Sequence, residues 1–194
     1  LGLVTVNVAY EGWHGLNWAS GVKHRKIRTL LPMYASYLHI YTLDDSIRTI
    51  YDLEGKIVST GTPGNTSEIA GKAILRALGI TPKRITMLSA SGQVDSLKDG
   101  VVDACFTVTG LPGPFMLDLQ TTHKPKILSL SDEDVEKIRK EHPYFFKGVI
   151  PKNTYTHQKE DIITITFWNT LVASQDLEDD LVYKLVKATF ENKN

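Results

Sequence analysis

Cysteine, net charge and long apolar runs are all scarce in this sequence. A single cysteine, Cys105, in 194 residues excludes a disulfide-stabilised scaffold. The 22 basic and 22 acidic side chains cancel to a formal net charge of zero, which argues against a strongly basic nucleic-acid binder. No apolar run approaches the roughly 20 residues of a membrane-spanning helix. The hydrophobic fraction of 42% is nevertheless typical of a folded chain with a substantial core.

Motifs of catalysis and metal binding are also absent. The sequence contains no glycine-rich phosphate loop, no G-x-S-x-G serine motif and no pair of histidines at helical i, i+4 spacing. Cys105 lies in an apolar stretch, which indicates a small core residue rather than a nucleophile. We therefore predict no catalytic residue, no metal and no cofactor, and a protein that is not an enzyme.

The pattern of apolar residues alternates between strand-like and helix-like periods. Residues 4–8 are predicted to form a first strand. Residues 56–122 are predicted to form three strands that alternate with three helices, in the order β-α-β-α-β-α. Further strands are predicted at residues 126–130 and 162–172, with a helix close to the end of the sequence. Such alternation predicts an α/β protein with a mostly parallel sheet flanked by helices.

Small polar residues fill the turns that lead from predicted strands into helices. In Gly64-Asn65-Thr66-Ser67, Asn65 is placed to cap a helix and Glu68 follows three residues later. Free backbone N–H groups at a helix start bind anions, and in α/β sheets ligands gather at the carboxyl ends of strands. The Gly110-Leu111-Pro112 turn follows another predicted strand. These turns are either part of an anion site or simply well-capped helix starts, and both interpretations remain open at this stage.

Several segments, in their order and spacing, resemble the TAXI family of solute receptors that serve TRAP transporters. The segments are Asp52-Leu53-Glu54-Gly55-Lys56-Ile57-Val58-Ser59, Gly61-Thr62-Pro63-Gly64, Leu97-Lys98-Asp99-Gly100 with Asp103-Ala104, Gly110-Leu111-Pro112, Ile150-Pro151 with Thr154-Tyr155, and Leu181-Val182-Tyr183-Lys184. The resemblance extends from residue 1 to about residue 192.

The resemblance implies a two-lobed, type II periplasmic binding-protein fold with a ligand cleft between its lobes. Residues 1–43 and 126–194 would form one lobe and residues 44–125 the other. Relative to the family, the first lobe would lack its N-terminal segment, so that residues 1–10 would be an interior strand. Because one wall of the cleft lies in that segment in the family, we expect the chain alone to have an incomplete binding site.

The resemblance also implies a function. The protein would be an extracytoplasmic, periplasmic receptor that captures a small organic anion, either a glutamate-like amino acid or a dicarboxylate. It would deliver this ligand to the membrane subunits of a TRAP-type permease, without binding nucleic acid or spanning the membrane itself. The mechanism would be binding with closure of the lobes. The localisation rests on the resemblance, since the sequence shows no signal peptide.

The expected ligand-binding residues come from both predicted lobes. Gly64, Asn65, Thr66 and Ser67 would hold a carboxylate at a helix start. Gly110 and Pro112 would shape the same wall, and Asn7 and Tyr10 would face it from the other lobe.

Two positions depart from the family pattern. Thr66 replaces a glycine in the anion turn, and Asn7 replaces an aspartate that would pair with a ligand ammonium group. These departures leave the identity of the ligand open.

Two alternatives remain open at the level of sequence. The same architecture serves as the ligand-sensing domain of transcription regulators, which would require a DNA-binding helix-turn-helix outside this sequence. The second alternative is that the chain would be a truncated product without activity. The strand edges near its start would then be unpaired.

Overall fold

A computed structural model describes residues 1–192 of the chain. Within them the structure forms eight strands and six α-helices, with short 3-10 helices at Asn17–Ala19 and Ile50–Leu53. The strands are β1 (Gly2–Thr5), β2 (Ile27–Thr42), β3 (Ile57–Ser59), β4 (Arg84–Thr86), β5 (Ala104–Thr109), β6 (Lys126–Ile127), β7 (Phe146–Ile150) and β8 (Ile162–Ser174). The helices are α1 (Val6–His14), α2 (Thr66–Ala77), α3 (Ala90–Lys98), α4 (Pro114–Thr122), α5 (Asp132–Glu141) and α6 (Asp179–Glu191).

The chain divides into two compact units. The first consists of Leu1–Ala35 and the chain from Phe167 onward, and the second is Ser36–Thr166. The second unit contains the whole of the predicted second lobe, together with residues 36–43 and 126–166, which were assigned to the first lobe. The predicted lobe boundaries stay a prediction. Lys193 and Asn194, at the end of the predicted first lobe, lie outside the described residues.

The first unit is built on the antiparallel pairing of β1 with β8. Gly2 lies opposite Val172 and Thr5 lies opposite Asn169. The Asn169 amide donates to the Tyr34 carbonyl oxygen at 3.0 Å, which ties β8 to the part of β2 in this unit. Helix α6 has no buried residue among those described, and its Phe190 is 54% exposed.

The predicted first strand, residues 4–8, is wrong beyond Thr5. Strand β1 ends there and α1 begins at Val6, so that Asn7 and Tyr10 lie on a helix rather than on an interior strand. The β-branched residues of this stretch favour a strand locally, but Val6, Ala9, Tyr10 and Trp13 also recur at helical spacing. The helix ends where Gly15 adopts a left-handed conformation, with φ of 75°.

The second unit contains a mixed sheet. Strand β3 pairs in parallel with β4 on one side and with β5 on the other. Strand β5 pairs antiparallel with β2, from Tyr37 opposite Thr109 to Thr42 opposite Ala104. Strands β6 and β7 pair antiparallel with β2 and β8, respectively. The predicted α/β class is confirmed, and the parallel pairs described within residues 1–192 join β3 to β4 and to β5.

Helices α3 and α4 cover an apolar cluster on this sheet. Tyr41 and Cys105 of the sheet pack with Leu97 of α3 and with Phe115 and Leu119 of α4. The Tyr41 and Phe115 rings are stacked with centroids 4.9 Å apart. Burial of these side chains stabilises the packing of α3 and α4 against the sheet.

Candidate functional site

Three helices begin at one edge of the sheet in the second unit. Because β3, β4 and β5 run in parallel, their carboxyl ends lie at the same edge. Each is followed by a helix: Asn65 caps α2, Ser89 caps α3, and Gly113 precedes α4. Helix starts carry partial positive charge and N–H groups without intrahelical partners, so that an edge with three of them favours anions and polar ligands.

The first of these starts contains the predicted residues Gly64, Asn65, Thr66 and Ser67. The Asn65 side-chain oxygen accepts from the Glu68 N–H at 2.8 Å, and its amide donates to the Thr62 hydroxyl at 3.0 Å. The predicted cap at Asn65 is therefore confirmed. The Glu68 carboxylate accepts from the Gly64 N–H at 2.7 Å and is paired with Lys72. The Gly64 N–H and the Asn65 side chain thus already have partners within the turn.

Ser67 is the most buried of the four predicted residues, with 6% of its surface exposed. Its hydroxyl oxygen accepts from the Val108 N–H at 2.9 Å, which ties the start of α2 to β5. The hydroxyl proton remains available as a donor, because this contact uses only the oxygen as acceptor. Thr66, which precedes Ser67, is half-buried. Ser67 is therefore tied to β5 at this edge of the sheet.

The second predicted element is the turn that contains Gly110 and Pro112. Gly110 is half-buried, Pro112 is exposed, and the Leu111–Pro112 peptide bond is cis. The turn is anchored by its last residue, since the Gly113 N–H donates to the Tyr155 hydroxyl at 2.7 Å. A β-carbon at Gly113 would lie only 2.9 Å from the side chains of both Thr109 and Phe115, so that glycine is required for this close packing.

Tyr155 connects this turn to a buried histidine. Its hydroxyl oxygen lies 2.7 Å from His39 Nε2, and His39 Nδ1 lies 3.1 Å from the Tyr37 carbonyl oxygen. Since a carbonyl can only accept, the imidazole proton is on Nδ1, and Nε2 accepts from the Tyr155 hydroxyl. Burial lowers the pKa of His39 from 6.5 to about 4. The imidazole is therefore neutral near pH 7, and the hydrogen bonds run in one direction, from Gly113 through Tyr155 to His39.

Gln93, near the start of α3, is a structural centre that the sequence analysis missed. It is buried, and its amide nitrogen donates to the Ser59 and Phe106 carbonyl oxygens, each at 3.2 Å. Its side-chain oxygen accepts from the Tyr41 hydroxyl at 3.3 Å and from the Thr107 hydroxyl. Gln93 thus joins β2, β3 and β5 to α3. A lone glutamine in a helix gives no sequence signal of this role.

A cavity of about 410 Å³ lies at this edge, between the starts of α3 and α4. Its walls come from three consecutive elements: Ala90, Ser91 and Val94 of α3, Thr107, Val108 and Thr109 of β5, and Pro114 and Phe115 of α4. Asp95 and Asp118 also line it, and Asp118 is paired with Lys98 at 3.4 Å. Of the predicted residues, Gly110 directly follows Thr109 of the cavity, and Ser67 is bonded to Val108.

The remaining predicted residues, Asn7 and Tyr10, lie on α1 in the first unit. The Asn7 side chain is fully buried, and neither its nitrogen nor its oxygen has a hydrogen-bond partner among residues 1–192. Tyr10 is 37% exposed, and its ring lies 4.4 Å from that of His14. Tyr10 also lines a cavity of about 350 Å³ together with Val6 and Trp168. The structure thus places these two residues in a different unit from Ser67 and Gly110.

Cys105 does not have the surroundings of a reactive thiol. This residue is fully buried, and burial raises the pKa of its thiol to about 12, which disfavours the reactive thiolate. No group of three or more histidine, cysteine or acidic side chains within residues 1–192 is arranged to hold a metal ion. Among the same residues, no helix is both long and apolar enough to cross a membrane.

Comparison with known proteins places the chain in a family. The model of the NMT1-like family matches residues 1–194, and the chain belongs to that family. A solved structure with a similar fold is a TctC solute-binding protein from Polaromonas, crystallised without ligand. The TM-score is 0.60 at 17% identity, over 97% of this chain and 62% of that one. This match shows the fold, a type II periplasmic binding-protein fold.

Two further solved structures are more distant. The extracellular-binding protein of a probable amino-acid ABC transporter from Bacillus subtilis has a TM-score of 0.47 at 19% identity, over 87% of this chain and 60% of that chain. An ancestral arginine-binding protein bound to glutamine has a TM-score of 0.48 at 19% identity, over 85% of this chain and 57% of that chain. The chain thus spans about three fifths of the length of the solved structures that it matches.

Proposed function

We propose that this chain belongs to an extracytoplasmic solute-binding protein that captures a small organic anion. The observation that carries this proposal is the meeting of three helix starts at the carboxyl edge of β3, β4 and β5. The ligand would be a glutamate-like amino acid or a dicarboxylate. It would be passed to the membrane subunits of a TRAP-type permease, as the resemblance to the TAXI family implies. The protein would bind and release its ligand and would not act as an enzyme.

The start of α2 is the proposed carboxylate site. Asn65, Thr66 and Ser67 would hold the carboxylate through first-turn N–H groups and through the Ser67 hydroxyl proton. Gly64 would give the turn its left-handed conformation, since its φ is 78°. The net charge of zero supports this arrangement, because attraction of an anion then depends on these local groups rather than on the field of the whole chain.

The turn at Gly110 and Pro112 would form the adjoining wall. It is fixed by the bond from Gly113 to Tyr155, so that its position does not depend on a ligand. A wall that is formed in advance lowers the entropy lost on binding.

Asn7 and Tyr10 stay part of the proposal as residues that would contact the ligand. The Asn7 amide is fully buried without a hydrogen-bond partner among residues 1–192, which costs roughly 1–3 kcal/mol in protein mutational data. An amide both donates and accepts, so that Asn7 suits either a carboxylate or an ammonium group of the ligand. The predicted lobes, residues 1–43 with 126–194 and residues 44–125, belong to the same proposal.

The proposed carboxylate site can be tested by adding one negative charge to it. An Asn65→Asp variant keeps an oxygen that caps Glu68, but its carboxylate repels a bound anion. A thermal-shift panel of glutamate, aspartate, succinate and glutarate should stabilise the unmodified full-length protein with at least one compound, and this shift should disappear in the variant. A panel without any stabilising compound, or a shift that survives in Asn65→Asp, would contradict the proposed site.

Ser131 offers a matched control for this experiment. It caps α5 through the Asp134 N–H, as Asn65 caps α2, but it lies outside the proposed site. A Ser131→Asp variant therefore adds the same charge at another helix start. We expect it to retain the ligand-induced shift, which separates a local effect at α2 from a general effect of charge.

A further inference from the structure

The loop that follows α1 in the first unit presents large apolar side chains to solvent. We call residues 15–24 the apolar loop. Leu16, Trp18 and Val22 belong to it, and they are exposed over 44%, 49% and 59% of their surface, respectively. Scattered single apolar residues are normal on a protein surface, but three within one short loop indicate a surface that another body covers. Nothing in the proposed function assigns a role to this loop.

The apolar loop is held in place by its own contacts. The Gly21 N–H donates to the Gly15 carbonyl oxygen and the His24 N–H donates to the Gly12 carbonyl oxygen, each at 2.8 Å, so that the loop closes onto the end of α1. The Trp18 ring stacks on the His24 ring with centroids 5.2 Å apart, and a β-carbon at Gly12 would lie 2.8 Å from the Trp18 ring. The apolar side chains are therefore displayed by an ordered loop, which lowers the entropy lost on docking.

Basic side chains directly adjoin the apolar loop. Residues 23–28 contain Lys23, Arg25, Lys26 and Arg28 and no acidic residue. All four side chains are exposed, and none of them forms an ion pair with a residue in the range 1–192. The charge of this segment is therefore available to an external anion.

The four cations fall into two groups. Lys23 and Arg25 lie on the side of α1, since a β-carbon at Gly15 would lie 3.2 Å from Lys23 Cγ and the Arg25 guanidinium carbon lies 4.6 Å from the centroid of the Trp13 ring. The acidic residue of α1, Glu11, is buried. The exposed charges that adjoin the apolar loop on this side are therefore positive.

Lys26 and Arg28 lie instead beside the end of β8. The Gln175 N–H donates to the Lys26 carbonyl oxygen at 2.7 Å, and the Arg28 guanidinium donates to the Gln175 side-chain oxygen at 2.9 Å. Asp176 follows Gln175, and further acidic side chains follow at the start of α6. Negative charge is thus near this second group, and the proposal below uses Lys23 and Arg25.

We propose that the apolar loop, together with Lys23 and Arg25, docks on the surface of an anionic phospholipid bilayer. Leu16, Trp18 and Val22 would enter the boundary between headgroups and acyl chains, and the two cations would meet lipid phosphates. Tryptophan is enriched at this boundary in membrane proteins. Docking of this kind goes beyond solute capture and does not depend on the site at the start of α2.

A nucleic acid fits this surface less well, because single strands are bound through bases that stack on aromatic faces. Arg25 lies over the Trp13 ring, and one face of Trp18 is covered by His24. The other two exposed side chains of the apolar loop are aliphatic and offer no face for stacking. Aliphatic side chains beside cations match the interfacial region of a bilayer.

Co-sedimentation of the full chain with lipid vesicles tests this proposal. We expect binding to vesicles of equal parts phosphatidylglycerol and phosphatidylcholine, and at least about tenfold weaker binding to vesicles of phosphatidylcholine alone. Absence of binding to the anionic vesicles, or equal binding to both compositions, overturns the proposal. Tighter binding of a single-stranded oligonucleotide, with release of the vesicles, would assign the surface to nucleic acid and overturns it as well.

Neutralisation of the two cations provides the second part of the test. The double variant Lys23→Gln, Arg25→Gln should weaken binding to the anionic vesicles about tenfold or more, since each basic side chain at a membrane surface contributes about fivefold. Lys137→Gln with Lys140→Gln removes the same charge from exposed positions of α5 and should leave binding unchanged. Equal weakening by both double variants would show only a general effect of charge and contradicts the assignment.

Removal of apolar surface provides the third part. The double variant Leu16→Ser, Val22→Ser should weaken binding at least about fivefold, and because both side chains are exposed the variant should unfold at the temperature of the unmodified protein. Met87→Ser with Val101→Ser changes similarly exposed apolar residues of the second unit and is the matched control. If the loop variant binds the anionic vesicles as tightly as its control does, insertion of the apolar loop is refuted.

Discussion

His39 shows how burial of one side chain makes the stability of this protein depend on pH. Its pKa is lowered from 6.5 to about 4 by burial, so that the native state holds it neutral while the unfolded chain binds a proton below pH 6.5. Between these values the unfolded state binds more protons than the native state. The free energy of unfolding therefore rises as the pH is raised from about 4 to 6.5. The contribution of His39 to stability is lost as the pH falls through the same range.

Replacement of His39 by glutamine should remove this pH dependence. At pH 7.5 residue 39 is uncharged in both the unmodified protein and His39→Gln. The difference between their free energies of unfolding at this pH is the reference for the measurements at lower pH. Between pH 6.5 and pH 4 the unmodified protein should lose up to about 3 kcal/mol relative to His39→Gln. Urea unfolding at several pH values measures this difference. A difference that stays constant from pH 7.5 to pH 4 would show that His39 titrates alike in both states.

The Tyr155 hydroxyl joins the Gly113 N–H to His39 Nε2 by two hydrogen bonds. Tyr155→Phe keeps the ring but leaves the buried Gly113 N–H and His39 Nε2 without their partner. We expect a loss of about 2–4 kcal/mol in the free energy of unfolding. Tyr183→Phe is the matched control, because Tyr183 is 63% exposed and should cost almost nothing. Equal costs for the two variants in urea unfolding would contradict the role of the Tyr155 hydroxyl.

At the scale of elements, the close approach of α2 to the sheet depends on Gly71. A β-carbon at Gly71 would lie 2.9 Å from Thr60 Cγ2 and 3.3 Å from Phe106 Cβ. Gly71→Ala should therefore lower the free energy of unfolding by about 1–2 kcal/mol, although alanine is the better helix former. Thermal or urea unfolding measures the change.

Two further variants separate packing from helix propensity in this prediction. Thr60→Ser removes the nearest methyl group, and we expect the Gly71→Ala penalty to shrink in the double variant. Gly92→Ala makes the same change in α3, where the nearest atom, Ser89 Oγ, is 3.3 Å away. It should be neutral or stabilising. A stabilising effect of Gly71→Ala itself would refute the close approach.

The elements that were predictable are those with local signals. Asn65 caps α2 as predicted, because capping requires only residues within one turn. Helix α1 was missed because its β-branched residues favour a strand when packing is ignored. Strand β7 was missed because its five residues become a strand only by pairing with β8, from Phe146 opposite Thr166 to Ile150 opposite Ile162.

The candidate site was predictable in part for the same reason. Gly64 to Ser67 and Gly110 follow strands that the apolar pattern reveals, so their common edge could be inferred. The roles of Gln93, Tyr155 and His39 depend on contacts between residues far apart in the chain. No spacing or motif in a single sequence records such contacts.

At the scale of the whole molecule, the family and the fold are the two properties that the comparisons establish. The chain belongs to the NMT1-like family and has the fold of a solute-binding protein, of which it spans about three fifths. Because basic and acidic side chains balance, capture of an anion would rest on helix starts and hydroxyls. Binding should therefore weaken only slightly when the salt concentration is raised, in contrast to attraction by a highly charged surface.

Isothermal titration calorimetry of the full-length protein with a panel of small carboxylates tests the central claim most directly. The panel should include glutamate, aspartate, succinate, glutarate and citrate. The proposed function predicts saturable binding of at least one of them at a stoichiometry near one, and loss of that binding in Asn65→Asp. Cooperative unfolding of the same sample shows that the protein is folded. If such a sample gives no binding heat with any of these carboxylates, the proposed function is contradicted.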